Sequence, residues 1–244
     1  MGNVYLTGDQ HGNFSLIFNS MLSQDDVLVV LGDAGVNYYQ DERDAQLKKR
    51  LQETEITFLF VRGNHEARPE GETFQKVFKK EKFFEGQFME ESQFPNLLYM
   101  LDGEEYRFTP QDGDAKTALV IGGAFSVDKD YRLQRQAQGF RDYKWFPDEQ
   151  LSETEMQSIS EKVSGHTYDY VFTHTCPACM IPRDMFLPFI DQSNVDDSME
   201  RFLQRIHDSI QYSKWYCGHW HTDRIIDSFR FLFHDIIPLG GYYT

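Results

Sequence analysis

Three short apolar runs near the start of the chain, each ended by a glycine-flanked polar cluster, limit most strongly what it can fold into. Val4 to Thr7 runs into Gly8-Asp9-Gln10-His11-Gly12. Val27 to Leu31 runs into Gly32-Asp33, and Phe58 to Val61 into Arg62-Gly63-Asn64-His65-Glu66. A continuous apolar run of four or five residues suits a strand buried on both faces, as in a parallel sheet. Between the runs lie helix-like stretches. Phe14 to Met21 carries Phe14, Ile17, Phe18 and Met21 on one face, and Tyr39 to Glu53 reads as an exposed, charged helix. Alternation of this kind predicts an α/β architecture.

The pattern continues less regularly. Leu97 to Met100, Glu105 to Phe108 and Ala118 to Ile121 read as strands, and Asp148 to Val163 as a helix entered after Pro147. Tyr170 to Thr173 is a further strand. Val195 to Tyr212 is a strong helix, with Met199, Phe202, Leu203, Ile206 and Ile210 on one stripe. Trp215 to Cys217, Arg224 to Asp227 and Arg230 to Phe233 read as closing strands. No linker, repeat or low-complexity stretch interrupts residues 1–244, so one domain is expected.

Composition narrows the function classes. Aromatic residues make up 15% of the 244, enough for a sizeable core and incompatible with disorder. A net charge of −15 opposes non-specific binding to nucleic acid or an anionic membrane. No apolar run reaches the roughly 18 residues of a membrane helix, and Met1 to Leu6 lacks the features of a secretory signal. A cytoplasmic protein is expected. Three cysteines are too few for a disulfide framework, and the single pair Cys176 and Cys179 lacks the partners of a structural zinc site.

Two later clusters join the first three: Thr173-His174-Thr175 and Gly218-His219-Trp220-His221. Loops at the carboxyl ends of parallel strands share one edge of the sheet, so clusters distant in sequence can converge there. Asp9, His11, Asp33, Asn64, His174, His219 and His221 offer only oxygen and imidazole ligands. Seven are too many for one tetrahedral ion. They suit two ions about 3.5–4 Å apart if one carboxylate is shared, with Asp33 the natural bridge. Two divalent ions would keep the site positive in an acidic protein, which explains how it could attract phosphate. Ligands without thiolate suit manganese, iron, zinc, cobalt or nickel, with Mn²⁺ or an iron-containing, mixed-valence pair expected. His166, His207 and His234 stand outside any cluster and read as ordinary structural or surface residues.

The five clusters, in this order over residues 9 to 221, resemble the calcineurin-like metallophosphoesterase superfamily. That resemblance implies two facing mixed β-sheets flanked by helices. It implies one metal on Asp9, His11, Asp33 and His221, and a second on Asp33, Asn64, His174 and His219. His65 matches the family's catalytic histidine, which protonates the leaving group or steadies the transition state. Arg62 stands as it does in protein Ser/Thr phosphatases and symmetrical dinucleoside-tetraphosphate hydrolases, where the arginine grips the phosphate; Asn64 would assist it. The chain departs from those relatives after Asp33. Ala34-Gly35-Val36-Asn37 replaces their Asp-Arg element. Gly122 to Arg132 resembles a stretch in bacterial and phage members, and Arg132 is a candidate for the missing contact.

The resulting expectation is a phosphomonoesterase in which a hydroxide bridging two metals attacks phosphorus. Its substrate would be a phosphorylated small molecule, nucleotide or phosphoprotein. A phosphodiesterase or nucleotide hydrolase, or a metal-binding interaction module without turnover, are the alternatives. Specificity is expected from Pro69 to Lys116 and Ser126 to Pro147.

Overall fold

The computed structural model describes residues 2–69, 84–109, 113–186 and 193–241 in full, and 77–80 as backbone. In chain order the first elements are β1 (Val4–Thr7), α1 (Ser15–Phe18), β2 (Val27–Val30), α2 (Glu42–Gln52), β3 (Thr57–Phe60) and β4 (Val77–Lys80). Then come β5 (Gln87–Glu90), β6 (Leu97–Met100), β7 (Glu105–Phe108), β8 (Lys116–Ile121), α3 (Lys129–Ala137) and α4 (Glu153–Val163). The chain continues through β9 (Thr167–Thr173), α5 (Ser198–Ser209), β10 (Gln211–Cys217), β11 (Arg224–Ile226), β12 (Phe229–Phe231) and β13 (Ile237–Pro238).

Two mixed sheets result. One has the order β13-β1-β2-β3-β6-β5-β4, the other β11-β12-β10-β9-β8-β7. β1, β2, β3 and β6 run parallel in the first, and β8, β9, β10 and β12 in the second. The outer strands join antiparallel.

The period-2 alternation of β-strands explains the layering. Val27, Val29 and Leu31 point into the core between the sheets, where they meet Tyr106, Ala118, Val120 and Phe172. Leu28 and Val30 point the other way, into a second core with Phe14, Ile17 and Leu51 from the helical side. Leu119, Ile121 and Val171 likewise face α4 and α5 across a third core. Met199, Phe202, Leu203 and Ile206 of α5 are wholly buried there, each stabilising the fold by about 1.5–3 kcal/mol. The result is the expected pair of facing mixed sheets flanked by helices.

Helix limits follow local hydrogen bonding. α1 is one turn, shorter than the stripe from Phe14 to Met21 predicts, because the Asn19 amide and Ser20 hydroxyl donate back to the Ser15 and Ile17 carbonyls. Met21 is left fully exposed. α2 begins at Glu42 because the Asp41 side chain accepts the Arg43 amide. α4 begins after Ser152, which forms a reciprocal capping box with Glu155. α5 ends at Ser209; Ile210 turns extended, and Gln211 and Tyr212 pair with Thr167 and Tyr168 in β10 and β9. Residues 70–76, 81–83 and 110–112, part of the stretch expected to set specificity, lie outside the described residues.

Candidate metal centre and cavity

The five clusters leave the carboxyl ends of β1, β2, β3, β9 and β10, three strands from one sheet and two from the other. The two sheets therefore present their clusters along one shared edge. Four candidate ligands, His11, Asp33, His219 and His221, have φ between 46° and 66°. Non-glycine residues in this left-handed region cost on the order of 1–3 kcal/mol each. Glycines make room for the approach. A Cβ at Gly63 would strike the Asp33 carboxylate, and one at Gly218 the Asp9 carboxylate.

Both aspartates are buried and half-satisfied by backbone. Asp33 Oδ1 accepts the amides of Asn64 and His65, both at 2.8 Å. Asp9 Oδ1 accepts the His219 amide at 2.8 Å. Asp9 Oδ2 is buried and takes no hydrogen bond from the described residues. His221 Nε2 lies 3.2 Å from it and His11 Nε2 3.8 Å. The two imidazole nitrogens are 3.0 Å apart.

A second confrontation lies deeper. His174 Nδ1 is 2.8 Å from the Leu31 carbonyl, so that nitrogen carries the proton. The neutral ring that a metal ligand requires would leave Nε2 a bare lone pair. It faces Asn64 Oδ1 at 2.7 Å and Asp33 Oδ1 at 3.6 Å. Asn64 is held that way round because its Nδ2 donates to Ser126 Oγ at 2.8 Å. Ser126 in turn donates to buried Glu149 at 2.5 Å. Acceptors aimed at one another in a buried site, with an orphaned carboxylate oxygen alongside, suit a cation.

Among the described residues, two carboxylate–imidazole groups are compact enough to hold a metal: Asp9, His11 and His221, and Asp9, Asp33 and His174. Asp9 is common to both, whereas Asp33, the expected bridge, belongs to one. The His219 ring packs 5.0 Å from that of His174. Burial and His174 push its imidazole down to about 3, which leaves it neutral. Burial pushes the Asp33 carboxyl up, but His174, His65, His11 and the His65 amide overcome this and hold it below the ordinary carboxylate range. The Asp9 carboxylate beside it raises His221. His65 Nε2 is 3.9 Å from Asp33 Oδ2. All seven expected ligands and His65 are thus brought to one place.

Arg62 is not. Its guanidinium points into the body of the protein, where Nε and Nη2 pair with Asp102 and the Nη nitrogens donate to the carbonyls of Asp148, Glu149 and Gly122. Its donors are spent tying the end of β3 to the segments after β6 and β8. The expected phosphate contact at Arg62 is therefore corrected. Asn64 also commits its amide nitrogen to Ser126, so its oxygen is the atom that faces the cluster.

Arg132, unlike Arg62, lines a cavity that opens beside the cluster. This cavity of about 590 Å³ begins at His11 and His65 and is lined by Asp128, Arg132 and several tyrosines. Arg132 pairs with Asp128 at 2.7 Å and donates to Tyr38 at 2.7 Å. The cysteines take no part in either candidate group. Burial pushes the Cys176 and Cys217 thiols up, and Cys179 is exposed.

The family model for calcineurin-like phosphoesterase matches residues 2–223. The chain belongs to that family. It is a metal-dependent phosphoric ester hydrolase, and the family implies divalent metal ions at its site. Among solved structures, a phosphopantetheinyl hydrolase from Mycobacterium tuberculosis is 14% identical, with a TM-score of 0.46; the match covers 94% of this chain and 87% of that one. Comparison with curated proteins returns no match. Among the described residues of this phosphoesterase, no helix is long and apolar enough to cross a membrane.

Ser126 and Glu149 are the site residues that sequence reasoning passes over. Ser126 lies within Gly122 to Arg132, but a lone serine there carries no signal of its contact with Asn64. Glu149 reads only as the start of the helix after Pro147.

Proposed function

We infer that the protein hydrolyses phosphomonoesters at a two-metal centre held by Asp9, His11, Asp33, Asn64, His174, His219 and His221. The observation that carries this reading is the approach of His174 Nε2 to Asn64 Oδ1, an imidazole nitrogen and an amide oxygen 2.7 Å apart beside buried carboxylates. Metals bound there supply positive charge toward phosphoryl oxygens and a water made acidic enough to attack near neutral pH.

The protein's own groups do the rest. Asp9 and Asp33 bring two negative charges, fixed by backbone amides. The four ligand histidines add donor nitrogens without charge. His65 opens on the cavity, where it would protonate the departing oxygen or steady the transition state. Arg132, paired with Asp128, offers its guanidinium to the non-bridging oxygens of a phosphate dianion. That extra contact favours a monoester over a diester. Oxygen and nitrogen ligands favour Mn²⁺ or an iron-containing pair, with zinc, cobalt and nickel as substitutes.

The test uses metal-stripped protein reloaded separately with Mn²⁺, Fe²⁺, Zn²⁺, Co²⁺ and Ni²⁺. Release of phosphate from an aryl phosphate with at least one ion, faster than hydrolysis of the bis-aryl diester, is the expected result. No turnover with any ion, or a clear preference for the diester, overturns the reading.

A further inference from the structure

The cavity beside His65 is far larger than a phosphate needs, and its walls have a definite chemistry. Tyr38 and Tyr39 come from the segment before α2, and Tyr131 and Tyr143 from α3 and the loop after it. They form two edge-to-face pairs, with ring centroids 4.8 Å and 5.5 Å apart. Tyr38 is fixed in place. Its hydroxyl donates to the Asp142 carbonyl and accepts from Arg132 and the Lys144 amide. The Arg43 guanidinium carbon lies over Tyr39, 3.6 Å from the ring centre. Among the described residues lining the cavity, Leu47 is the one aliphatic side chain.

Two of the three arginines lining the cavity are already matched by carboxylates. Arg43 is bracketed by Asp41 and Asp142, and Arg132 pairs with Asp128. Asp44 accepts the amides of Tyr39 and Gln40. Arg50 lies over the Phe18 ring. A saturated chain would find almost no aliphatic wall. Phenol and guanidinium faces instead stack well against a flat ring with polar edges.

We propose that this cavity is the leaving-group pocket and that it takes a group bearing a planar aromatic ring. The preferred substrates are then phosphomonoesters of ring-bearing alcohols, a proposal that rests on the phosphomonoesterase reading. Two sources share this chemistry: nucleosides and simple aryl alcohols. Two pairs of esters separate the ring from the scissile bond. Adenosine 5′-monophosphate and ribose 5-phosphate release the same kind of primary alkoxide, as do benzyl phosphate and cyclohexylmethyl phosphate.

With metal-loaded protein, kcat/KM is expected to favour the aromatic member of at least one pair by about tenfold. A preference confined to the first pair assigns the pocket to nucleosides, and one confined to the second to aryl groups. Ratios within about twofold of one in both pairs overturn the proposal. Tyr131→Leu and Tyr143→Leu keep apolar volume but remove the phenol ring, and should bring the favoured ratio toward one. An equal loss on both members, with the ratio intact, makes the rings merely structural and also overturns it. If no ester in either pair is hydrolysed with any metal, the phosphomonoesterase reading fails instead. The pocket is then judged by calorimetry. Adenosine 5′-monophosphate should bind at least about fivefold more tightly than ribose 5-phosphate, and equal affinities sink the proposal.

Discussion

Ser126 hands its hydroxyl proton to Glu149 at 2.5 Å and, with the same oxygen, accepts Asn64 Nδ2 at 2.8 Å. A serine in the loop after β8 thereby decides which end of the Asn64 amide faces His174. Outer partners that orient a ligand commonly change metal affinity by about 10–100-fold when removed. Ser126→Ala should weaken Mn²⁺ binding by that factor, read by calorimetric titration of the stripped protein. It also leaves a buried Glu149 oxygen without its donor, a cost of about 1–3 kcal/mol. Ser126→Thr, which keeps the hydroxyl, should restore most of the affinity. Wild-type affinity in the alanine variant would show that Asn64 needs no such support.

His65 stands at the mouth of the cavity and is not needed to complete either compact ligand group. His65→Ala should therefore lower kcat by about 10²–10⁴ while the metal content per chain, measured by elemental analysis, stays at the wild-type level. Loss of metal in parallel with activity would make His65 a ligand rather than a proton donor.

Arg62 and Arg132 should separate by phenotype. Arg62 is buried with its donors on Asp102 and three carbonyls. Removing one partner of a buried ion pair typically costs about 3–5 kcal/mol. Arg62→Ala should show a lowered denaturation midpoint in urea. Arg132→Ala should instead raise KM for the monoester, with a much smaller change in the midpoint. A KM effect at Arg62 with unchanged stability would restore the sequence expectation for that residue.

The misplacement of Arg62 shows where sequence reading stops. Its position beside Gly63-Asn64-His65 tells that it leaves β3 next to the site, but not which way its side chain turns. Direction depends on Asp102 and on the carbonyls of Gly122, Asp148 and Glu149, which only the assembled sheets bring near. The strands that support the site were legible for a physical reason. Val27 to Val30 is buried on both faces, so each residue must be apolar. β5 (Gln87–Glu90) was not legible, because it holds only two apolar residues, Phe88 and Met89, between polar ends and is only four long. α3 has no buried residue, hence no apolar stripe to read. Yet α3 and its flanks supply Asp128, Tyr131, Arg132 and Tyr143 to the cavity. Metal ligands could be read from their order along the chain. Walls of the pocket could not, since they come from a surface helix and loops with no periodicity.

Glu155 ties α4 to Arg68 and gives the fold a dependence on acid. Its carboxylate accepts Arg68 Nη1 at 2.6 Å and the Ser152 amide and hydroxyl, each at 2.7 Å. Burial pushes this carboxyl up. The Arg68 and Ser152 hydrogen bonds and the Arg68 charge outweigh it and bring it from 4.5 down to about 2. A carboxyl whose folded value lies below its unfolded value adds stability above the unfolded value, and loses that stability as pH falls through the folded one. Here the window runs from about pH 4.5 down to about pH 2. Glu155→Gln, which keeps the shape but not the charge, should cost about 1 kcal/mol near neutral pH. The gap between wild type and variant, followed by urea denaturation from pH 7 to pH 2, should be constant above about pH 5 and close on the acid side. A gap independent of pH would mean that hydrogen-bond geometry alone, and not the ionised carboxylate, holds the start of α4 against Arg68.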